Sequence, residues 1–479
     1  MQRRAFMVES GAAGLMAAAS RKRIRGANDR LRIAVCGVRG RGLAHLHAYA
    51  AMPGVEIAAL CDVDENVLRW RLRTLQRLGV PRPAVYTDVR RLLENASLDA
   101  VSVATPNHWH ALIGIWTCQA GKDLYLEKPC CHSLWEGQQL LAAVRKYNRI
   151  CQHGTQSRSH AAIQQAVGHL RAGTIGEMYM ARALVFKWRP TIGHTPPQPV
   201  PPGVHYDLWT GPAPRHPFSL NRFHYNWHWF WDTGNGDIGN QGPHELDIAR
   251  WGLGVTRPRR VSAMGGKFLF QDDQETPNLL SVLYEFESPN GQKKLLEVEV
   301  RGWISNHEAG IGTRAYRSRS LPVYAPAHAP ARARTHFQAP DLARWRGDDF
   351  RLPLGPLPGT LDTVGNLFYG SKGYLAIAGF DTYRTFLGEH QHPGPSGRGG
   401  GNHFENFVQA VRARNPKLLN APLDEGLLSV ALIHLANASY RTGRALELRP
   451  DTYEVIGNDE AAALLRGGCR SPYTVPEQV

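Results

Sequence analysis

The sequence predicts an α/β protein that opens with a doubly wound parallel sheet and carries a second domain behind it. Two observations predict this. Residues 31–62 run strand, glycine turn, helix, strand, acid, and short apolar runs then alternate with helical stretches as far as residue 153. The chain has 479 residues, enough for two or three cores. Hydrophobic residues make up 43% and charged residues 20%, which excludes a chain dominated by disorder.

The first element is the apolar run Leu31–Cys36, followed by Gly37-Val38-Arg39-Gly40-Arg41-Gly42 and a helical stretch, 43–52. Val55–Cys61 is the second strand and closes in Asp62, 20 residues after Gly42. This is the order of a Rossmann βαβ unit, whose glycines let the backbone approach a pyrophosphate and whose acid meets the adenosine ribose. Arg39 stands where the second glycine of that fingerprint belongs, with Gly40 beside it to supply the room. Arg39 and Arg41 would attract phosphate, whereas Asp62 would repel the 2′-phosphate of NADP. NAD is therefore expected, with NADP left open.

Helix 65–78, strand 99–104, helix 111–120, strand Asp123–Leu126, helix 134–147 and strand 150–153 extend the alternation. Ligands of such sheets lie beyond the carboxyl ends of the strands, where Gly37, Asp62, 105–110 and 127–129 all fall. Thr105, Asn107, His110, Glu127 and Lys128 thus join Gly37, Arg39, Gly40, Gly42 and Asp62 as expected cofactor-binding residues.

The glycine turn, Asp62, the segment ATPNHWH at 104–110 and Glu127-Lys128-Pro129 together resemble the Gfo/Idh/MocA oxidoreductase family. The resemblance covers 31–153, resumes over 154–310 and returns over 363–475. It implies an NAD(P)-binding Rossmann domain, here 29–153, and a substrate-binding α+β domain, 154–479, on a large, open, mostly antiparallel sheet. Substrate would lie between the domains, and copies are expected to associate through the open sheet.

The segment GNGDIGNQGPHELD at 234–247 is a glycine-rich turn entering a helix that runs to about Trp251, and it sets His244 and Asp247 one turn apart. In the family a motif D-x-x-x-H-x-x-D stands here. His244 matches its histidine and Asp247 its later acid, while Asn240 replaces the first acid and accepts no proton. The resemblance implies that His244 takes the substrate proton and that Lys128 bonds the reacting oxygen. Asn240 or Asp247 would orient His244. An imidazole with its ordinary pKa of about 6.5 suits that task.

Residues 221–232 (NRFHYNWHWFWD) pack six aromatics into twelve positions. Aromatic faces suit sugar rings, so Trp227, His228 and Trp229 are expected substrate contacts, with a volume-filling interface as the alternative. Residues 206–209 and 187–190 are weaker candidates of the same kind.

The chain opens with Arg3-Arg4-Ala5-Phe6-Met7 and a stretch rich in Ala and Gly, a pattern that resembles a twin-arginine export signal. Residues 1–28 are set apart as signal or arm. Export to the periplasm is expected, and a cytoplasmic place if the signal does not function. That segment holds six Lys/Arg and one Glu, so +5 of the +15 net charge lies in it. No nucleic-acid module accompanies the remaining arginines, so nucleic acid is not an expected partner. The seven cysteines form no CxxC pair and sit in or beside apolar runs, which reads as core rather than metal ligands or disulfides. No later run reaches the ~20 apolar residues of a membrane span. Residues 313–360, rich in Pro, Ala and Arg, read as a loop insertion, and helices 402–414 and 424–442 close the chain with Gly443 as a stop.

Three functions remain open from sequence. They are a sugar or polyol dehydrogenase, a redox-neutral NAD-dependent glycosidase using the same site, and an exported binding protein without catalysis.

Overall fold

The structure, a computed structural model, describes residues 30–287, 291–303 and 362–479. The expected signal at 1–28 and the expected insertion at 313–360 lie outside the described residues. The first half is built from β1 (Leu31–Cys36), α1 (Arg41–Ala50), β2 (Val55–Cys61), α2 (Glu65–Arg77), β3 (Ala84–Tyr86) and α3 (Val89–Leu93). It continues through β4 (Ala100–Val103), α4 (His110–Gln119), β5 (Asp123–Leu126), α5 (Leu134–Lys146) and β6 (Cys151–His153). The strands lie in the order β3-β2-β1-β4-β5-β6, all parallel. Strand order reverses between β1 and β4, and there the helices leave on opposite faces and open a crevice. Local chemistry sets the helix starts. Asp64 caps α2, and Ser133 with Glu136 forms a reciprocal capping box on α5. Strand β3 and helix α3 escaped the sequence, because three mostly exposed residues and one short turn of helix carry no period.

The second half begins with α6 (Ala161–Arg171), β7 (Met178–Phe186), α7 (Tyr206–Thr210), α8 (Gly236–Asn240) and α9 (Gly242–Leu253). Strands β8 (Arg260–Gly266), β9 (Leu279–Glu287), β10 (Lys293–Arg301), β11 (Thr363–Gly370), β12 (Gly373–Ala378), β13 (Thr382–Leu387) and β14 (His392–Arg398) follow. The chain ends with α10 (His403–Ala413), α11 (Leu423–Thr442), β15 (Leu446–Leu448), β16 (Val455–Ile456) and α12 (Asp459–Arg466). Ten strands form one sheet, antiparallel throughout except for the β7–β10 pair. Strand β9 alternates buried and exposed side chains, the mark of a sheet covered on one face. Helices α6, α9 and α11 cover that face, while Met264 (81% exposed) and Leu283 stand on the other.

The cut at residue 153 separates the two sheets but not their layers. Helix α10 returns to the first sheet, where Phe404 stacks on Tyr125 at 4.7 Å and the Gln152 amide donates to the His403 carbonyl at 2.9 Å. Among the described residues no helix is long and apolar enough to cross a membrane. All seven cysteines are free, six of them buried.

Candidate active site

The crevice begins at the end of β1. Gly37 has φ +78, and a Cβ there would lie 2.6 Å from the Ala104 carbonyl oxygen, so the turn passes β4 only as glycine. Gly40 precedes α1 with nothing within 4 Å of a Cβ position, and no side chain caps the helix. The Leu43 N–H turns to the Gly40 carbonyl at 3.1 Å, and no side chain competes for those of Arg41 and Gly42, which suit an anion such as a dinucleotide pyrophosphate. Gly42 serves packing instead, since a Cβ there would meet the Gly37 carbonyl oxygen at 2.0 Å.

Asp62 accepts from the Val38 N–H at 2.8 Å and the Asp64 N–H at 3.1 Å, and burial raises its carboxyl to about 6. Arg71 donates to the Val38 carbonyl at 2.6 Å and to that of Arg39, which fixes the turn from behind. Arg39 stands near Asp62 and Asp64, and burial lowers its guanidinium to about 10. An open helix start, a glycine turn and an acid at the end of β2 together fit NAD.

A cavity of about 330 Å³ extends from this turn past Asp62, Thr105, His110, Glu127 and Lys128. Two of the expected cofactor contacts spend their polar atoms on protein instead, and a third does so with one of its two. Glu127 accepts from Arg41, His45 and Gln156 at 2.8, 3.0 and 2.9 Å, a charged cluster that holds its carboxyl well below the usual range despite burial. His110 places its nitrogens 2.6 Å from the Pro129 carbonyl and 2.8 Å from that of Thr105, stapling two strand ends together. Asn107 is buried off the cavity and donates to the Asn235 side chain at 2.5 Å. Each lies where two chain segments meet, where pairing offsets the desolvation of a buried polar group, and the Asn107 Oδ1 is left without a partner.

Lys128 lies two residues past the end of β5 and lines the cavity. Burial lowers its amine to about 8, and the amine donates to the main-chain carbonyl of Asn240 across the crevice. The Asn240 amide donates to Tyr225 Oη and to Asp237, both at 3.2 Å. Arg189 forks onto Asp237 at 2.7 and 3.0 Å and reaches Tyr225 Oη at 3.2 Å. Sequence reasoning missed Asp237 and Tyr225. Asp237 lies three positions before Asn240, so one helical turn brings a carboxylate to the asparagine that lacks one.

His244 lies in the first turn of α9, its Nδ1 buried without a partner and its ring 5.4 Å from Phe380. Burial, with the nearby Lys128 cation, holds it well below the ordinary histidine range and therefore neutral. Asp247 does not turn toward it. The fully buried carboxylate takes a fork from Arg158 at 2.7 and 2.9 Å and the Ser429 hydroxyl at 2.6 Å, tying α9 to α11. A buried charge is retained by its strongest donors, and here these are an arginine and a hydroxyl rather than the imidazole.

The aromatic segment divides. Trp227 and His228 line the cavity, whereas Trp229 is buried beneath, with the Arg189 guanidinium 5.6 Å over its ring. Residues 202–211 strap the second domain onto the turn between β2 and α2, beside Asp62. His205 N–H donates to the Val63 carbonyl at 2.9 Å, Glu65 N–H to that of Gly203 at 2.9 Å, and Asn66 to that of Pro202 at 3.1 Å. His108 and Trp109 hold the same strap through the Trp209 and Leu208 carbonyls at 3.0 and 3.1 Å, which explains much of the NHWH run.

A doubly wound sheet with this turn, roofed by a second open-sheet domain, gives a two-domain NAD-binding fold. The chain belongs to the Gfo/Idh/MocA family. Residues 31–155 match its oxidoreductase NAD-binding Rossmann fold, and 174–280 with 393–475 match its C-terminal alpha/beta domain. It is 32% identical over 127 residues to a glycosyl hydrolase family 109 protein of Shewanella pealeana, covering 26% of this chain and 28% of that protein. The chain thus spans about a third or less of the length of the curated relatives it matches. A WlbA dehydrogenase from Bordetella pertussis, solved with NADH and UDP-GlcNAcA, superposes with a TM-score of 0.58 at 17% identity, over 88% of this chain and 100% of that one. An aldose-aldose oxidoreductase from Caulobacter crescentus, solved with glycerol, gives 0.57 at 17% identity over 88% and 100%. At such identity these likenesses show the fold alone.

Proposed function

We propose that the protein transfers a hydride between a hydroxyl-bearing carbon of a sugar or polyol and NAD. The observation that carries this is Lys128, a buried amine at the carboxyl end of β5 that faces the second domain across the crevice. NAD, when bound, supplies the hydride acceptor. Lys128 donates a hydrogen bond to the reacting oxygen and stabilises its developing negative charge. His244, kept neutral by burial, is free to receive the hydroxyl proton. Trp227 offers an apolar face to a ring. The carbohydrate ligand of the WlbA dehydrogenase supports the substrate class. The test is purified protein with NAD and a panel of free sugars, polyols and glycosides, followed by nicotinamide absorbance at 340 nm. If none of them reduces the cofactor, the proposal fails.

A second reading keeps the site and returns the hydride, so that a glycoside is cleaved without net redox change. The glycosyl hydrolase relatives favour it. Product analysis on glycosides with no added cofactor separates the two, since only the second reading releases sugar in stoichiometric excess over enzyme. We further propose export through the Arg3-Arg4 signal, tested by fractionating cells that express the full chain and the Arg3→Lys, Arg4→Lys form.

A further inference from the structure

A second cavity, of about 710 Å³, lies apart from the one that holds Lys128, and the proposed reaction does not use it. The start of α5 and helices α11 and α12 enclose it, together with residues 212–214, 231–235 and 467–470. Lys128 and His228 line the first cavity, and His132 and Trp231, a few positions further along the chain, line the second. We infer that the second cavity is a binding site for a neutral sugar, separate from the cofactor site.

The polar atoms left over in its wall are of both kinds. His132 Nε2 lies 2.9 Å from the Trp231 carbonyl and 3.3 Å from that of Gly234, so Nε2 carries the hydrogen and Nδ1 keeps a lone pair. The Asn437 amide donates to the Asn235 carbonyl at 3.1 Å, which leaves Oδ1 of a residue only 6% exposed without a partner. A buried acceptor in that state is satisfied only by a donor brought in from outside the chain. Asp232 binds His216 at 2.6 Å and Arg222 at 3.7 Å through one oxygen and keeps the other. On the donor side, Arg441 stands 5.0 Å over the Trp231 ring and bonds none of the described residues. Burial lowers its guanidinium, and Asp232, Glu275 and Glu460 oppose this from a distance.

Charge and bonding type together decide the ligand. Two arginines of the wall, Arg441 and Arg470, face two carboxylates, Asp232 and Glu460, so the formal charges cancel. A carboxylate or phosphate would satisfy Arg441 but meet the two carboxylates and the lone pairs of Asn437 and His132. An ammonium would satisfy those acceptors and meet Arg441 instead. A hydroxyl both donates and accepts, so a ligand carrying several of them pairs with either kind at no cost in charge. The Trp231 ring supplies apolar surface beside these groups, as the C–H face of a sugar ring requires. The volume falls within the range of about 300–1,000 Å³ usual for small-molecule sites.

The experiment measures binding to the NAD-loaded full chain by saturation-transfer NMR. The probes are D-glucose and D-galactose, with the uronate and the 2-amino sugar of each as charged counterparts on the same ring. At least one neutral sugar is expected to bind with a Kd of about 10 mM or tighter, and its two charged counterparts about threefold or more weakly. Arg441→Met and Trp231→Leu should each weaken that binding about tenfold, and Arg441→Lys, which keeps a charged donor, should weaken it less. Lys128→Met alters the cofactor cavity and should leave it unchanged. NAD affinity within a few-fold of wild type confirms that a variant is folded. The inference is overturned if neither sugar binds at about 100 mM. Tighter binding of a charged counterpart, or binding that falls in Lys128→Met and not in Arg441→Met, overturns it as well. Because these are binding measurements, a sugar panel that reduces no NAD sinks the first reading without deciding this one.

Discussion

The Lys128 ammonium donates to the main-chain carbonyl of Asn240, 112 positions further along the chain. One bond therefore joins the strand end that faces the cofactor to the helix that precedes His244. On the proposed function a substrate oxygen would share or replace this bond, with the reacting atom between the two domains. Lys128→Ala and His244→Ala are each expected to leave NAD affinity within a few-fold and to lower turnover about a hundredfold or more. If both act on one hydroxyl, the double variant should be little worse than the poorer single one. Near wild-type turnover in His244→Ala would remove that residue from the chemistry.

The pH profile should separate the two groups. Burial lowers the Lys128 amine to about 8 and pushes the His244 imidazole well below its usual range. As hydrogen-bond donor to a developing alkoxide, Lys128 works protonated, so kcat/KM should fall as pH rises through about 8. His244 is already neutral through the neutral range and should add no acid limb there. Lys128→Met should abolish the alkaline limb. A wild-type profile that rises through the same region would assign proton removal to the lysine instead.

Cofactor choice is the next test. Asp62 faces the cavity beside Asp64 and Asp88, and carboxylates at this end oppose a 2′-phosphate. Asp62→Ala should weaken the preference for NAD over NADP, measured as the ratio of the two dissociation constants. It should also cost some affinity for both, because the Val38 and Asp64 N–H groups lose their acceptor. An unchanged ratio would show that Asp62 does not meet the ribose.

Much of the fold was legible because its signals are local. The glycine turn, Asp62 and the apolar runs mark strand ends by spacing alone, and each falls where the parallel order puts it. Pairings across long separations left no such mark. Nothing near Asp247 announces Arg158 or Ser429 as its partners, and nothing near Asn107 announces Asn235. The return of α10 to the first sheet is likewise invisible to periodicity, since an apolar helix face does not say which sheet it covers. Arg189 lay in a segment singled out for its tryptophan, yet its role comes from Asp237, 48 residues away.

The strap over the turn beside Asp62 should govern cofactor release. Removing the Asn66 bond to Pro202 and the His205 bond to Glu65 takes away two contacts of about 1 kcal/mol or less each, the second partly exposed. The Asn66→Ala, His205→Ala double variant is therefore expected to release NADH up to about tenfold faster, read from nucleotide fluorescence after dilution into excess NAD. An equal rate in both proteins would mean that the cofactor leaves by another route.

Asp247 tests whether the motif position is chemical or structural in this chain. Burial alone would raise its carboxyl, but the Arg158 fork outweighs this and holds it below the ordinary range. Asp247→Ala leaves the buried Arg158 with only Glu425 at 3.1 Å, and breaking such a pair costs about 3–5 kcal/mol. At about 2–4 °C per kcal/mol for a domain of this size, the melting temperature should fall by roughly 6–20 °C. Asp247→Asn keeps an acceptor for Ser429 but not the charge and should fall less. The sign with pH is also set. A carboxyl lowered in the folded state contributes fully above about pH 4 and loses its contribution as pH drops below that. The gap between wild type and Asp247→Ala should therefore narrow toward pH 3. An Asp247→Asn variant that melts like wild type yet turns over a hundredfold more slowly would instead return the carboxylate to His244.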